Sequence, residues 1–152
     1  MTSAFATLAA GGVRHTPTML ERITRPEGTA LVSRPRAVRA LPAPVAAEVT
    51  SALEGVVRLG TGRAADIGGP VAGKTGTAEN FVDAWFCGYA PHLATCVWIG
   101  NPRAETPMHD VDGFAQVVGG SVPARIWHDF MAPATQAGPP ALPASIAPPP
   151  PA

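Results

Sequence analysis

The chain has 152 residues with 11 basic and 11 acidic side chains, a balance that leaves no net field to draw it to nucleic acid or to an anionic membrane surface. That length suffices for one modest domain, which buries about two thirds of the surface its unfolded chain exposes. No run approaches the roughly 20 apolar residues of a bilayer span, and the opening residues lack a basic segment followed by an apolar signal core, so the chain taken literally reads as soluble and unexported.

Thr2 or Ser3 is placed to cap a short helix through Ala10, with Phe5 and Leu8 on one face and Gly11-Gly12 as its stop. Because Met1 leads directly into helix, it reads as an internal methionine of a longer chain. An extended, arginine-rich stretch follows Pro17, and the turn at Pro26-Glu27-Gly28 between Leu20, Ile23 and Leu31, Val32 predicts a small peripheral hairpin. Pro42 and Pro44 then open a helix whose apolar residues Val45, Val49, Leu53, Val56 and Val57 recur at helical spacing until Gly60.

Gly60-Thr61-Gly62 and Gly68-Gly69-Pro70 bracket a loop. Three strands are expected after it, Val71 to Thr77, Asp83 to Tyr89 and Ala94 to Gly100, in an antiparallel meander whose alternation runs through Trp85, Cys87 and Tyr89. Cys87 and Cys96 fall on either side of the turn near Pro91-His92. Two small buried thiols are the preferred reading, with a cross-strand bond as the alternative.

Residues 102 to 113 read as polar loop. A last helix begins at Val122 or Pro123, capped by Ser121, and presents Ile126, Trp127 and Phe130 to the sheet. Eight of the eighteen prolines lie beyond residue 132, so 132–152 is expected to be a disordered tail of polyproline II character, leaving 1–131 as the folded part.

The informative stretch is Lys74-Thr75-Gly76-Thr77, a cation, two hydroxyls and a side-chain-free position on a strand, preceded by Gly73, which permits close approach by another group. In an ideal strand Lys74 and Gly76 point to one face and Thr75 and Thr77 to the other. The four histidines, His15, His92, His109 and His128, have no ligand spacing, and no metal or other cofactor is expected. Glu79 reads as a solvated loop carboxylate, Thr61 as a turn residue without a chemical part, and Trp85, Trp98 and Trp127 as packing residues.

Lys-Thr-Gly is one of three motifs of penicillin-binding proteins and serine beta-lactamases. The succession Met1 to Gly12, Gly60-Thr61-Gly62, Pro70 to Ala78, Asp83-Ala84-Trp85-Phe86, Gly88-Tyr89, Val97 to Gly100, Gly119 to Ala124 and Ile126-Trp127 resembles the C-terminal end of the transpeptidase domain of class A, bifunctional penicillin-binding proteins. The resemblance implies an α+β fold, the C-terminal portion of a penicillin-binding-protein and serine beta-lactamase-like domain, with an antiparallel sheet under packed helices and apparently incomplete. It also implies acyl transfer from a D-Ala-D-Ala stem peptide of peptidoglycan, trapping by beta-lactams, and a parent protein anchored outside the cytoplasmic membrane. By position, Lys74 would supply positive potential for the substrate carboxylate, Thr75, Gly76 and Thr77 would bind it, and the backbone N–H of Thr77 would form half of an oxyanion hole.

The sequence departs from that pattern. Lys74 is the sole lysine, so none of Ser3, Ser33, Ser51, Ser121 and Ser145 sits in a Ser-x-x-Lys, and none is followed two positions on by asparagine. The chain is therefore expected to be inactive alone and, for want of neighbouring strands, marginally folded or prone to aggregate. A non-catalytic protein that binds cell-wall peptides or a partner is the alternative, and a beta-lactamase relative a third.

Overall fold

The computed structural model describes residues 1–20, 22–28, 30–32 and 35–136. Helix α1 spans Thr2–Ala9, but Met1 holds the N-cap position and no side chain caps it. Thr7 turns its hydroxyl back to the Ser3 carbonyl at 2.9 Å instead. Gly11 and Gly12, at φ 60° and 91°, end the helix in a left-handed conformation that residues with a Cβ resist.

Strand β1 (Val13–His15) pairs antiparallel with β4 (Ala37–Arg39), a ladder the sequence does not announce because both strands are short and lack apolar alternation. Between them, β2 (Arg22–Thr24) and β3 (Ala30–Val32) form the expected hairpin, with Ile23 opposite Leu31. The Gly28 N–H closes its turn on the Arg25 carbonyl at 2.9 Å.

Helix α2 (Ala43–Arg58) lies against β5 (Ala72–Thr77). Its buried row descends through Ala46 and Val57, whereas Val45 and Val49, counted from sequence among the inward residues, are exposed. The helical period admits two adjacent apolar rows, and only one reaches the sheet.

The main sheet is the predicted antiparallel meander, in the order β5, β6 (Asp83–Ala90), β7 (Leu93–Gly100). Cys87 is directly opposite Cys96, their Cα atoms are 4.1 Å apart, and a disulfide joins them. The preference for two free thiols is thereby corrected. The stretch 102 to 113, expected to be loop, contains β8 (His109–Val111), which forms a further hairpin with β9 (Phe114–Gln116), turned through Asp112 and Gly113 at positive φ.

Helix α3 spans Val122–Gln136 and buries Pro123, Ala124, Trp127 and Met131, at i, i+1, i+4 and i+8 spacing on one face. Ile126 and Phe130, expected on that face, are 46% and 53% exposed. The helix also passes the expected boundary at 131, with the Thr135 hydroxyl donating to the Met131 carbonyl at 2.8 Å. The tail read from 137 onward lies outside the described residues.

Side chains of the sheet divide by register. Phe86 points to α3, where its ring meets Trp127 edge-on at 5.3 Å, and these two with Met131, Val57, Val71 and Ala65 make the core. Tyr89 points oppositely, towards α1 and α2, 6.4 Å from the Phe5 ring and 2.8 Å from the Thr50 hydroxyl. Burial raises the Tyr89 phenol above its ordinary pKa of 10.0, the Thr50 hydrogen bond opposes this, and the Glu54 carboxylate adds to it. The folded chain thus holds that proton more tightly than the unfolded chain, so the contribution is complete below about pH 10 and is lost as pH rises through the folded value. Urea melts between about pH 9 and 11 are expected to show this loss in the parent and a flatter profile in Tyr89→Phe.

Candidate functional site

The site grows from the register of one strand. Lys74 and Gly76 lie opposite Cys87 and Trp85, on the face turned away from α3, whereas Thr75 and Thr77 lie opposite Phe86 and Ala84. The alternation read from sequence is thus the observed one. Gly73 serves the core: a Cβ there would come within 2.6 Å of the Phe86 ring, so the group it admits is this chain's own phenylalanine rather than a ligand.

One hydrogen bond orients the strand's edges. The Ala78 N–H donates to the Asp83 carbonyl at 2.9 Å, towards β6. Backbone groups of successive strand residues alternate sides, so those of Thr77 and Thr75 face the opposite edge of β5. That edge has no strand partner among the described residues. Lys74 is exposed, and its ammonium curls over this edge to donate to the Thr75 carbonyl at 2.8 Å.

Two loops the sequence reading did not assign to the site support it from outside. The Thr61 hydroxyl lies 2.8 Å from the Thr75 hydroxyl, so Thr61 has a partner in the motif instead of serving only as a turn. The Gly119 N–H donates to the Thr77 hydroxyl at 3.1 Å, which leaves the proton of that hydroxyl available for another acceptor. Gly119 has no room for a side chain: a Cβ would fall 2.6 Å from the Gly76 carbonyl oxygen and against the carbonyl of Trp85. The available signals were Thr61 between two glycines and the Gly119-Gly120 pair, but neither spacing reveals a contact with β5.

Ser121 takes a different part from the expected one. It precedes the first residue of α3, but its hydroxyl donates to the Val118 carbonyl at 2.7 Å and accepts the Val118 N–H at 2.9 Å, tightening the loop that holds Gly119. On the Lys74 face, the Trp85 and Trp98 rings sit 6.2 Å apart, and the Trp98 indole N–H donates to Asp83 at 2.7 Å. Trp98 is 39% exposed and Trp127 fully buried, so the three tryptophans divide between surface and core. Glu79 is exposed beyond the strand end. The arrangement offers a cation, two hydroxyls and outward backbone N–H groups along an open strand edge, donors suited to an extended ligand carrying a carboxylate.

A family model described as the penicillin binding protein transpeptidase domain matches residues 1–130. The chain is 34% identical over 140 residues to penicillin-binding protein 1A of Mycobacterium tuberculosis, a match covering 86% of this chain and 17% of that protein. It thus spans about a sixth of the length of that relative. Among solved structures it resembles the PonA1 protein of Mycobacterium tuberculosis in complex with penicillin V, with a TM-score of 0.77 and 31% identity over 93% of this chain and 39% of that one. It also resembles penicillin-binding protein A of Mycobacterium tuberculosis as an imipenem acyl-enzyme complex, with a TM-score of 0.69, 26% identity, and coverage of 89% and 30%.

Proposed function

The chain belongs to the penicillin-binding protein transpeptidase family, as part of a class A transpeptidase domain, and from this premise we propose that it forms the carboxylate-binding wall of a D,D-transpeptidase site. The observation that carries the reading is the open edge of β5, where the Lys74 ammonium rests on the Thr75 carbonyl and the Thr75 and Thr77 hydroxyls are held by Thr61 and Gly119. A stem peptide ending in D-Ala-D-Ala, or a beta-lactam in its place, lies along this edge as an added strand. Its carboxylate takes the protons of the Thr75 and Thr77 hydroxyls and the field of Lys74.

In the acyl transfer, a serine Oγ bonds to the penultimate carbonyl carbon, the peptide bond to the terminal D-alanine breaks, and the serine proton leaves with the departing amine. The Thr77 N–H stabilises the oxygen that becomes negative in between, a device whose single donors are typically worth about 3 kcal/mol. That serine is no residue of this chain, because none of its serines has a lysine three positions on. The chain contributes recognition and half of the oxyanion hole, and a nucleophile from another segment completes the reaction. The relatives' coverage supports this division, since most of the PonA1 chain has no counterpart here.

Incubation of the purified, folded chain with a fluorescent penicillin is expected to give no covalent adduct by denaturing gel and intact mass. A stoichiometric adduct on a single serine would overturn the division of labour and assign that serine as nucleophile.

A further inference from the structure

The zero net charge of the chain hides an uneven distribution. Between residues 13 and 40 the sequence has six arginines against two glutamates, and elsewhere five basic side chains face nine acidic ones. The described residues of this segment form one finger. The β1–β4 ladder forms its base against α1, and the β2–β3 hairpin forms its outer part, in which every described strand residue is exposed.

The finger is apolar as well as basic. Met19, Leu20, Ile23, Leu31 and Val32 all stand exposed, and register puts Ile23 and Leu31 side by side on one face. Arg22 is opposite Val32 on the other face, and Arg36 is exposed where the hairpin returns to its base. Arg25 is partly neutralised by Glu27, 3.9 Å away. A soluble polyanion would engage the arginines and leave the aliphatic side chains in water. A bilayer of anionic lipid takes both, phosphates against guanidinium groups and aliphatic side chains at the acyl boundary.

We propose that the β2–β3 finger docks this protein on an anionic lipid surface, with the Ile23–Leu31 face entering the headgroup region and Arg22 and Arg36 pairing with phosphates.

Sedimentation of the full chain with vesicles tests this, comparing phosphatidylcholine alone with equal parts phosphatidylcholine and phosphatidylglycerol. Partitioning is expected to be at least about tenfold stronger on the anionic vesicles and to weaken as salt shortens the screening length from about 10 Å to about 3 Å. The variants Arg22→Glu/Arg36→Glu and Ile23→Asp/Leu31→Asp should each lose at least about tenfold. The same changes elsewhere, Arg103→Glu and Val111→Asp, should lose nothing. Circular dichroism checks that each variant keeps the parent's secondary structure, as expected where the changed side chains are exposed. Equal partitioning on neutral vesicles, or none on either, would overturn the proposal. So would loss in the arginine pair with the aspartate pair unaffected, which would mark recognition of phosphate charge alone.

Discussion

Trp127→Ala is expected to abolish the cooperative unfolding transition of this chain. Trp127 is fully buried, its ring lies edge-on against Phe86, and its indole N–H donates to the Thr95 carbonyl at 3.0 Å. Truncating a buried tryptophan typically costs about 3–5 kcal/mol through lost transfer energy and the cavity left behind. The Thr95 carbonyl also loses its donor, at a further cost of about 1 kcal/mol or more. Even a complete domain has a stability of only about 5–15 kcal/mol, and this sheet lacks a described strand beyond β7 to share the loss. Thermal melts followed by near-ultraviolet circular dichroism are the measurement. A variant that still melts cooperatively within about 5 °C of the parent would show that α3 is not the keystone of the core.

Lys74→Ala carries the largest functional effect. The setting is a complete transpeptidase domain in which residues 1–136 of this chain replace the matching segment of Mycobacterium tuberculosis penicillin-binding protein 1A, so that the nucleophile is present. The second-order rate of acylation by penicillin is expected to fall by about 10²–10³, the usual consequence of removing one preorganised electrostatic group from such a site. Lys74→Arg should recover part of it, since charge is kept while geometry changes. An unchanged rate in Lys74→Ala would end the assignment of Lys74 to the carboxylate and return it to a surface lysine bonded to the Thr75 carbonyl.

Much of this was legible beforehand for identifiable reasons. The meander β5–β6–β7 follows from alternation in segments punctuated by glycine and proline, and the hairpin β2–β3 from a Pro-Glu-Gly turn between apolar residues. The motif strand was recognisable because it carries Lys74, the only lysine of the sequence, directly before Thr75-Gly76-Thr77. Helix α3 was found, and its inward face was read correctly at Trp127 but not at Ile126 and Phe130. Phe130 is as apolar as any core residue, and only the position of the sheet decides that Met131, one residue on, is the side chain that is buried.

The sequence by itself determined the local elements, the motif, the lack of a Ser-x-x-Lys and the family, because these reside in near-neighbour pattern and residue identity. Tertiary structure alone decided the Cys87–Cys96 bond, the β1–β4 ladder, the Thr61–Thr75 and Gly119–Thr77 contacts, and the exposure of Val45 and Val49. Each of these joins residues that the chain separates, or chooses between two equally apolar rows of one helix. No local preference encodes such outcomes: strand register and the packing of whole elements set which backbone atoms approach and which side chains lose water.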